Sequence, residues 1–455
     1  MKEKYHLIGI GGIGMSGLAH LLLQQGIPVT GSDVAAGPQV QTLIQAGAKV
    51  HIGHSATHVE KDATVVYSTD IKKENPEYQA ALQLGCTLLH RSQLLQRLMQ
   101  KCRHSLCVAG THGKTTTSSL LTWVLHVAGL KPSFAIGGVI PQFKSNSGHG
   151  SHDFFVAEAC ESDGTFLNYL PYGAIVTNID EDHMDFYGTL TSLVSTFETF
   201  MKKITDPHLL FYCGDDPLLR QIKPQGTSYG FSADCQLRIT HAKAKGWMQT
   251  FDVQYRGKEY REIDLSLIGS HNILNAAAIF GLALELGVEE AMIRKAFATF
   301  SGVLRRCERK GECEGILFID DYAHHPTELK ATLQGLRSAI GDRRLIAAYQ
   351  PHRYTRSQSC LGKYEGVFEE VDHLFVSEIY SAREQPIPGI TTEVVVADIQ
   401  GANRCPSQFV ERSHLAQEVA DFLKPGDLVV TLGAGDITKL SSEVLQLLAK
   451  GAACG

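Results

Sequence analysis

The sequence contains no C-x-x-C pair, although it carries eleven cysteines, at positions 86, 102, 107, 160, 213, 235, 307, 313, 360, 405 and 454. An odd and scattered set argues against a disulfide framework and a zinc site, and it reads as reduced core thiols in a cytoplasmic protein. There is no basic excess either. Lys and Arg number 42 against 48 Asp and Glu, a net charge of −6, which argues against nucleic acid or an anionic membrane as the main partner. No apolar run approaches the roughly 20 residues that span a bilayer, so membrane insertion is not expected. The chain opens Met1-Lys2-Glu3-Lys4 and passes straight into a strand-like Tyr5-His6-Leu7-Ile8, with no apolar segment of signal-peptide type. Internal repeats and low-complexity tracts are also missing.

What is present is an ordinary globular composition, 44% hydrophobic and 20% charged, spread over 455 residues. At about 150 residues per domain this length suggests three domains. Short β-branched runs alternate with helix-period segments, the pattern of α/β domains with parallel sheets. A first series runs from Tyr5–Ile10 through Pro28–Ser32 and Ala63–Ser68 to a charged helix ending near Arg103. A second opens at Ser105–Ala109, continues through Phe154–Ala157 and Ala174–Thr177, and closes with helices at Ile273–Leu286 and Ala291–Phe300. Between about Thr227 and Leu267 it holds polar alternating stretches, expected as antiparallel strands on a sheet edge. A third begins after Arg305-Arg306 with Gly315–Asp320 and runs to a helix at Ile437–Ala449. Pro386-Ile387-Pro388-Gly389 reads as a rigid surface loop.

Gly9-Ile10-Gly11-Gly12-Ile13-Gly14 satisfies G-x-G-x-x-G between the first strand and a helix. Such a turn lets the backbone approach a diphosphate and aims helix N–H groups at it. Asp33 ends the second strand where a dinucleotide enzyme holds a ribose. A nicotinamide cofactor, another diphosphate and a purely structural turn all remain open here. A second loop, Gly110-Thr111-His112-Gly113-Lys114-Thr115-Thr116-Thr117, is more specific. Its backbone N–H groups would cradle phosphates, Lys114 would reach the transferring phosphoryl group, and the Thr115 hydroxyl would bind Mg²⁺. The pattern is the shorter G-x-x-G-K-T, because Val stands at 108 where the longer phosphate-loop motif requires Gly.

Glu158 ends the next strand and opens Glu158-Ala159-Cys160-Glu161-Ser162-Asp163, which makes it the candidate second metal ligand. Asp180-Glu181-Asp182-His183-Met184-Asp185 follows another strand of the same series, at the end where open α/β sheets bind ligands. His271-Asn272 and Asn275 open a helix, either as caps or as amides offered to a base edge. Arg305-Arg306 occupies a hinge from which an arginine would reach phosphates only on closure. Asp320-Asp321-Tyr322-Ala323-His324-His325-Pro326 and Pro351-His352-Arg353-Tyr354-Thr355-Arg356 leave the first two strands of the third series, and together make a pocket for a carboxylate.

This assembly, along essentially the whole chain, resembles the Mur ligase family. The resemblance implies three α/β domains: residues 1–103, Rossmann-like and binding a UDP-sugar; 104–305, P-loop ATPase-like with an antiparallel edge and binding ATP; and 306–455, Rossmann-like and binding the amino acid. It implies ATP- and Mg²⁺-dependent amide formation between L-alanine and the carboxylate of UDP-N-acetylmuramate through an acyl phosphate, in peptidoglycan precursor synthesis. The first glycine turn then becomes a UDP diphosphate site, with Gly11, Gly12, Ile13, Gly14, Asp33, Ser68, Thr69 and Arg91 as UDP-sugar contacts, and the nicotinamide reading falls.

By the same resemblance Lys114, Glu158, His183 and Arg306 carry catalysis, and Thr115, Glu158 and His183 hold Mg²⁺. ATP falls to Gly110, Thr111, His112, Gly113, Lys114, Thr115, Thr116, His271, Asn272, Asn275, Asp321 and His324, and the amino acid to Tyr322, His352, Arg353 and Arg356. Cys160 departs from the family pattern, standing where many members have Asp, as do Asp70, Ser92-Gln93, Leu304 and Cys307. The rival readings are a murein peptide ligase, joining a tripeptide to the same UDP-sugar, and a dinucleotide-dependent oxidoreductase. A monomer or weak homodimer is expected.

Overall fold

The computed structural model describes residues 3–454, with side chains through residue 449. The chain forms an α/β protein with three sheets, distributed over two compact units. One comprises residues 1–239, 253–260 and 274–299; the other comprises 240–252, 261–273 and 300–455.

The first sheet is wholly parallel. Its elements are β1 (Tyr5–Ile8), α1 (Ile13–Gln24), β2 (Val29–Asp33), α2 (Pro38–Gln45), β3 (Lys49–Ile52), β4 (Thr64–Tyr67), α3 (Pro76–Gln83), β5 (Thr87–His90) and α4 (Arg91–Met99). The strand order β3-β2-β1-β4-β5 reverses at β1, so the turn after β1 sits at the switch point where such sheets bind ligands. The short strands β3 and β5 are additions to the sequence reading, and β3 is only half-buried and lies at an edge.

The second sheet builds on β6 (His104–Ala109), α5 (Lys114–Val127), β7 (Ser133–Ile140), β8 (Ser145–Gly148), β9 (Phe154–Glu158), β10 (Gly173–Val176), α6 (Met184–Tyr187), α7 (Leu190–Met201), β11 (Leu210–Cys213), α8 (Pro217–Ile222) and β12 (Thr227–Gly230). Its order in the first unit is β12-β11-β10-β6-β9-β7-β8. β6 is flanked by the parallel strands β9 and β10, so three consecutive carboxyl ends deliver their loops to one edge.

Two expectations need correction here. β12 is parallel to β11 and to the start of β13 (Leu237–Lys245), not antiparallel. Hairpin geometry begins only at the two-residue turns Gly246-Trp247 and Arg256-Gly257, before and after β14 (Met248–Tyr255) and leading to β15 (Lys258–Leu265), because two residues cannot make a parallel crossover. An antiparallel pair that the sequence reading did not anticipate, β7 with β8, occupies the other edge. The strand read as Ala174–Thr177 is Gly173–Val176, and Thr177 onward leaves the sheet to fold against the loop after β6.

After α9 (Ser270–Glu285) and α10 (Glu290–Thr299) come β16 (Glu308–Cys313), β17 (Ile316–Asp321), α11 (Pro326–Ile340), β18 (Leu345–Tyr349), α12 (Tyr354–Cys360), β19 (His373–Val376), α13 (Thr392–Ala402), β20 (Ser407–Phe409), α14 (Arg412–Phe422), β21 (Leu428–Leu432) and α15 (Leu440–Cys454). The third sheet runs β16-β17-β21-β18-β19-β20. β16 pairs antiparallel with β17, so Asp320 and Asp321 close the second strand of this sheet rather than the first. The central strands β17, β18 and β21 are buried and, apart from Asp320, Asp321 and Thr431, apolar, as two-sided coverage by helices requires. One core cluster here includes Ile268 beside Leu317, Leu329, Leu333 and Leu428.

Ten cysteines, from Cys86 to Cys405, are free thiols, while Cys454 lies outside the described side chains. Among the described residues no helix is long and apolar enough to cross a membrane.

Candidate active site

The loop between β6 and α5 is held by side chains from the end of β10. Gly110 adopts φ +128°, and a β-carbon there would lie 2.0 Å from Thr177 Oγ1, so only glycine fits. The Thr177 hydroxyl donates to the His112 carbonyl at 2.6 Å. The Asn178 side chain closes a two-way bridge: its Oδ1 accepts from His112 N–H at 2.8 Å, and its Nδ2 donates to His112 O at 3.1 Å. The Asp180 N–H donates to Thr111 Oγ1 at 2.9 Å, and His112 Nε2 lies 3.0 Å from Asp180 Oδ2. The end of β10 thus holds the loop against the first turn of α5, where unpaired helix N–H groups favour an anion. Val108, which stands where the longer motif has Gly, is fully buried in β6.

Lys114, the first residue of α5, donates from Nζ to the carbonyls of Gly110 at 2.6 Å and Thr111 at 2.9 Å, and forms an ion pair with Glu161 Oε2 at 2.7 Å. Burial opposes the charged ammonium, but Glu161, Cys160 and Glu158 outweigh it and hold the lysine above its ordinary pKa. Glu161 is 1% exposed, so its carboxylate meets Lys114 almost wholly out of water. Burial and then Glu161 raise the Tyr187 phenol. Thr115 donates to Glu158 Oε1 at 3.2 Å, while Glu158 Oε2 accepts from the Gly137 N–H at 2.8 Å. His183 stands in the left-handed region at φ 56°, with Nε2 3.6 Å from Asp182 Oδ2 and 4.0 Å from Glu161 Oε1. Such backbone strain in a non-glycine residue is characteristic of functional sites. The donor set of hydroxyl and carboxylate oxygens beside one imidazole fits a hard divalent cation. Thr116 follows on the half-buried side of the helix. Asn275 lies over this loop, its Oδ1 3.2 Å from where a β-carbon on Gly113 would stand.

The first glycine turn is closed from inside. Asp33 Oδ2 accepts from the Gly11 N–H at 2.8 Å, and a β-carbon on Gly11 would come within 2.9 Å of both that oxygen and Val40. Asp33 therefore serves the turn itself. Gly12 is the N-cap of α1, and Ile13, which starts it, is 46% exposed. Arg91 Nη1 lies over Gly14, 3.1 Å from where its β-carbon would be, and Arg91 Nη2 is 3.6 Å from Asp163 Oδ2. Thr69 donates to the same Asp163 oxygen at 2.6 Å, while Ser68 is buried. The structure thus brings Thr69 and Arg91 to Asp163, with Arg91 also lying over Gly14, whereas the sequence reading had Asp163 only as the last residue of the run that Glu158 opens.

In the second unit Arg305 and Arg306 both lie over the ring of Tyr322, at 4.8 and 5.2 Å. Arg305 also donates to the carbonyl of Gly433 at 2.8 Å, so it is committed to the loop after β21. Arg306 Nη1 is 4.0 Å from Glu328, whose carboxylate also accepts from the His324 N–H at 3.3 Å. His271 is neutral at pH 7, burial pushing it down to about 4, and Asn272 donates to Ile268 O at 2.8 Å. Asp321 turns its carboxylate inward, accepting from Cys307 N–H and Ala323 N–H at 2.7 Å each. The His352 ring stacks on Tyr380 at 5.8 Å, lies 6.2 Å from His324, and has Arg356 Nη1 3.3 Å from its Nδ1. Burial, then His324 and Arg356, push it down to about 3. Arg353 has φ 66° and sits 4.0 Å from Glu384. Glu161, Asp163, Asn178, Glu328 and Tyr380 are the neighbours that sequence reasoning missed. The first two carried a signal as members of the acidic run after β9, and Asn178 as part of the Thr177-Asn178-Ile179 run on which the family resemblance also rests.

Three family models match in succession: "Mur ligase family, catalytic domain" over residues 4–103, "Mur ligase middle domain" over 108–283, and "Mur ligase, glutamate ligase domain" over 305–435. The chain is 50% identical over 452 residues to a UDP-N-acetylmuramate–L-alanine ligase of Protochlamydia amoebophila, covering 99% of each. It is 42% identical to a bifunctional enzyme MurC/Ddl of Chlamydia caviae, of which it spans 56%. Among solved structures it is similar to the UDP-N-acetylmuramate–alanine ligase MurC of Thermotoga maritima, with TM-score 0.83 and 26% identity over 98% of this chain and 99% of that one.

Proposed function

Since the chain belongs to the Mur ligase family, we propose that it joins L-alanine to the carboxylate of UDP-N-acetylmuramate, consuming ATP and releasing ADP and phosphate in peptidoglycan precursor synthesis. The observation that carries this reading is the cluster of Lys114, Thr115, Glu158 and Glu161 at the carboxyl ends of β6 and β9.

A carboxylate is a poor electrophile until one of its oxygens becomes a phosphate leaving group. The muramyl carboxylate attacks the γ-phosphorus of ATP, giving an acyl phosphate and ADP. The amine of L-alanine then attacks the acyl carbon, forming the amide and expelling phosphate. In the first step Lys114, held by Glu161, offsets charge on the transferring group and exchanges a loop carbonyl for a phosphate oxygen. Thr115 and Glu158 would hold Mg²⁺, with His183 as a ligand of a second ion. Bound there, Mg²⁺ would supply charge compensation between two anions. Gly11 to Gly14, Asp33, Ser68, Thr69 and Arg91 would orient the UDP-sugar. Tyr322, His352, Arg353 and Arg356 would receive the amino acid, a neutral His352 leaving Arg356 to bind its carboxylate. Arg306, Asp321, His324 and the Asn272–Asn275 pair are proposed as further nucleotide contacts.

We take the domains to be 1–103, 104–305 and 306–455, the working form to be a monomer or weak homodimer, and the compartment to be the cytoplasm, where free thiols persist. Phosphate release measured with each component omitted in turn tests the reading. Release should require ATP, Mg²⁺, UDP-N-acetylmuramate and L-alanine together. Release indifferent to the sugar nucleotide would sink it, and a preference for a tripeptide over L-alanine would favour the murein peptide ligase instead.

A further inference from the structure

The chemistry above makes no use of Glu77, a carboxylate fully buried in the first domain on the opening turn of α3, where the helix N-terminus favours negative charge. Five groups converge on its two oxygens. At Oε2 the Ser32 hydroxyl donates at 2.5 Å, with His6 Nε2 at 3.2 Å and His54 Nδ1 at 3.7 Å. At Oε1 the Ser55 N–H donates at 3.2 Å, and His58 Nδ1 lies at 2.8 Å. Burial alone would raise this carboxyl, but the hydrogen bonds from His6, Ser32 and His58 prevail and bring it down to about 2. A charge buried at this cost persists only when fully partnered, and the partners come from β1, the end of β2 and the loop 53–58.

Those partners lead directly to the glycine turn. The carbonyl of Ser32 accepts from Gly9 N–H at 2.8 Å and Ile10 N–H at 2.9 Å, and the next residue, Asp33, accepts from Gly11. The Asp33 carbonyl in turn accepts from Gly53 N–H at 2.8 Å, tying the 53–58 loop to the same strand end. Through Ser32, Glu77 fixes the strand end from which the turn hangs. We propose that Glu77 is a positioning residue for the diphosphate ligand of the first domain, holding Ser32, Asp33 and the 53–58 loop so that the Gly9–Gly14 turn is preorganised for binding. This rests on reading that turn as the UDP-sugar site.

The full chain, titrated calorimetrically with UDP and assayed for phosphate release, provides the test. Glu77→Gln keeps the shape and removes the charge. It should weaken UDP binding and raise the KM for UDP-N-acetylmuramate about tenfold, or about 1.4 kcal/mol. The KM values for ATP and L-alanine and the kcat per folded molecule should stay within about twofold. Ser32→Ala removes the hydroxyl that joins Glu77 and His54 to the strand end and should weaken UDP binding about threefold; it decides the matter if the glutamine variant does not fold. A merely structural role would lower Tm without moving UDP affinity. Wild-type UDP affinity in the folded variants overturns the proposal. Failure of the unmodified chain to bind UDP overturns the reading of the glycine turn instead.

Discussion

Lys114 has three N–H donors and three protein acceptors, one of them a carboxylate almost wholly out of water. Lys114→Ala therefore removes a catalytic cation and also strands the buried Glu161. Turnover should fall at least about a hundredfold, and stability by about 3–5 kcal/mol, the usual cost of an uncompensated buried charge. Adding Glu161→Gln should restore the thermal midpoint while leaving phosphate release low. Turnover that recovers with the midpoint would reduce Lys114 to a structural role. Lys114, Thr115 and Glu158 were legible because phosphate chemistry demands a cation and oxygen ligands at fixed places after a strand. The Lys114–Glu161 pairing was not, since it depends on two strands lying side by side. Nor was the inward turn of Asp321, whose partners Cys307 and Ala323 are backbone groups that no motif encodes.

At the level of elements, the site depends on β9, β6 and β10 lying next to one another, so that Glu158, Gly110 and Thr177 emerge together. Gly110→Ala would drive a β-carbon into Thr177 Oγ1 and release the loop from the end of β10. A loss of about 2–3 kcal/mol and a large rise in the KM for ATP are expected, read by denaturant titration and steady-state kinetics. An unchanged KM would mean that the loop tolerates another backbone path. The strand, glycine loop and helix of this region were readable because an apolar run, a glycine pair and a helical period follow in order. The β7–β8 hairpin was not. β8 is Ser145-Asn146-Ser147-Gly148, with no apolar residue to reveal it, yet Asn146 and Ser147 are buried, and Asn146 Nδ2 donates to Ile13 O at 3.1 Å and Ile136 O at 3.3 Å. A strand held by one side-chain amide leaves no period-two hydrophobic signal.

Across the whole molecule, three domains could be inferred from length and from the strand–helix rhythm, and three sheets are present. A linear reading could not anticipate that the second compact unit also draws in residues 240–252 and 261–273. Ile268 is 6% exposed in the cluster formed by Leu317, Leu329, Leu333 and Leu428, although it precedes Arg306 by a helix pair. Ile268→Ala should cost that unit about 2–4 kcal/mol, appearing as lost hydrogen-exchange protection in β17 and β21. Protection equal to the parent would make residues 306–455 self-sufficient. The close approach of Gly335 on α11 to the backbone of Gly269 extends the same dependence, since a β-carbon on Gly335 would lie 3.1 Å from Gly269 Cα. Recombination between relatives follows the same constraint. A chimera exchanging only residues 306–455 would set a donor α11 against a recipient Ile268-Gly269, so the transferable module is the discontinuous one, with 261–273 travelling alongside the C-terminal sheet.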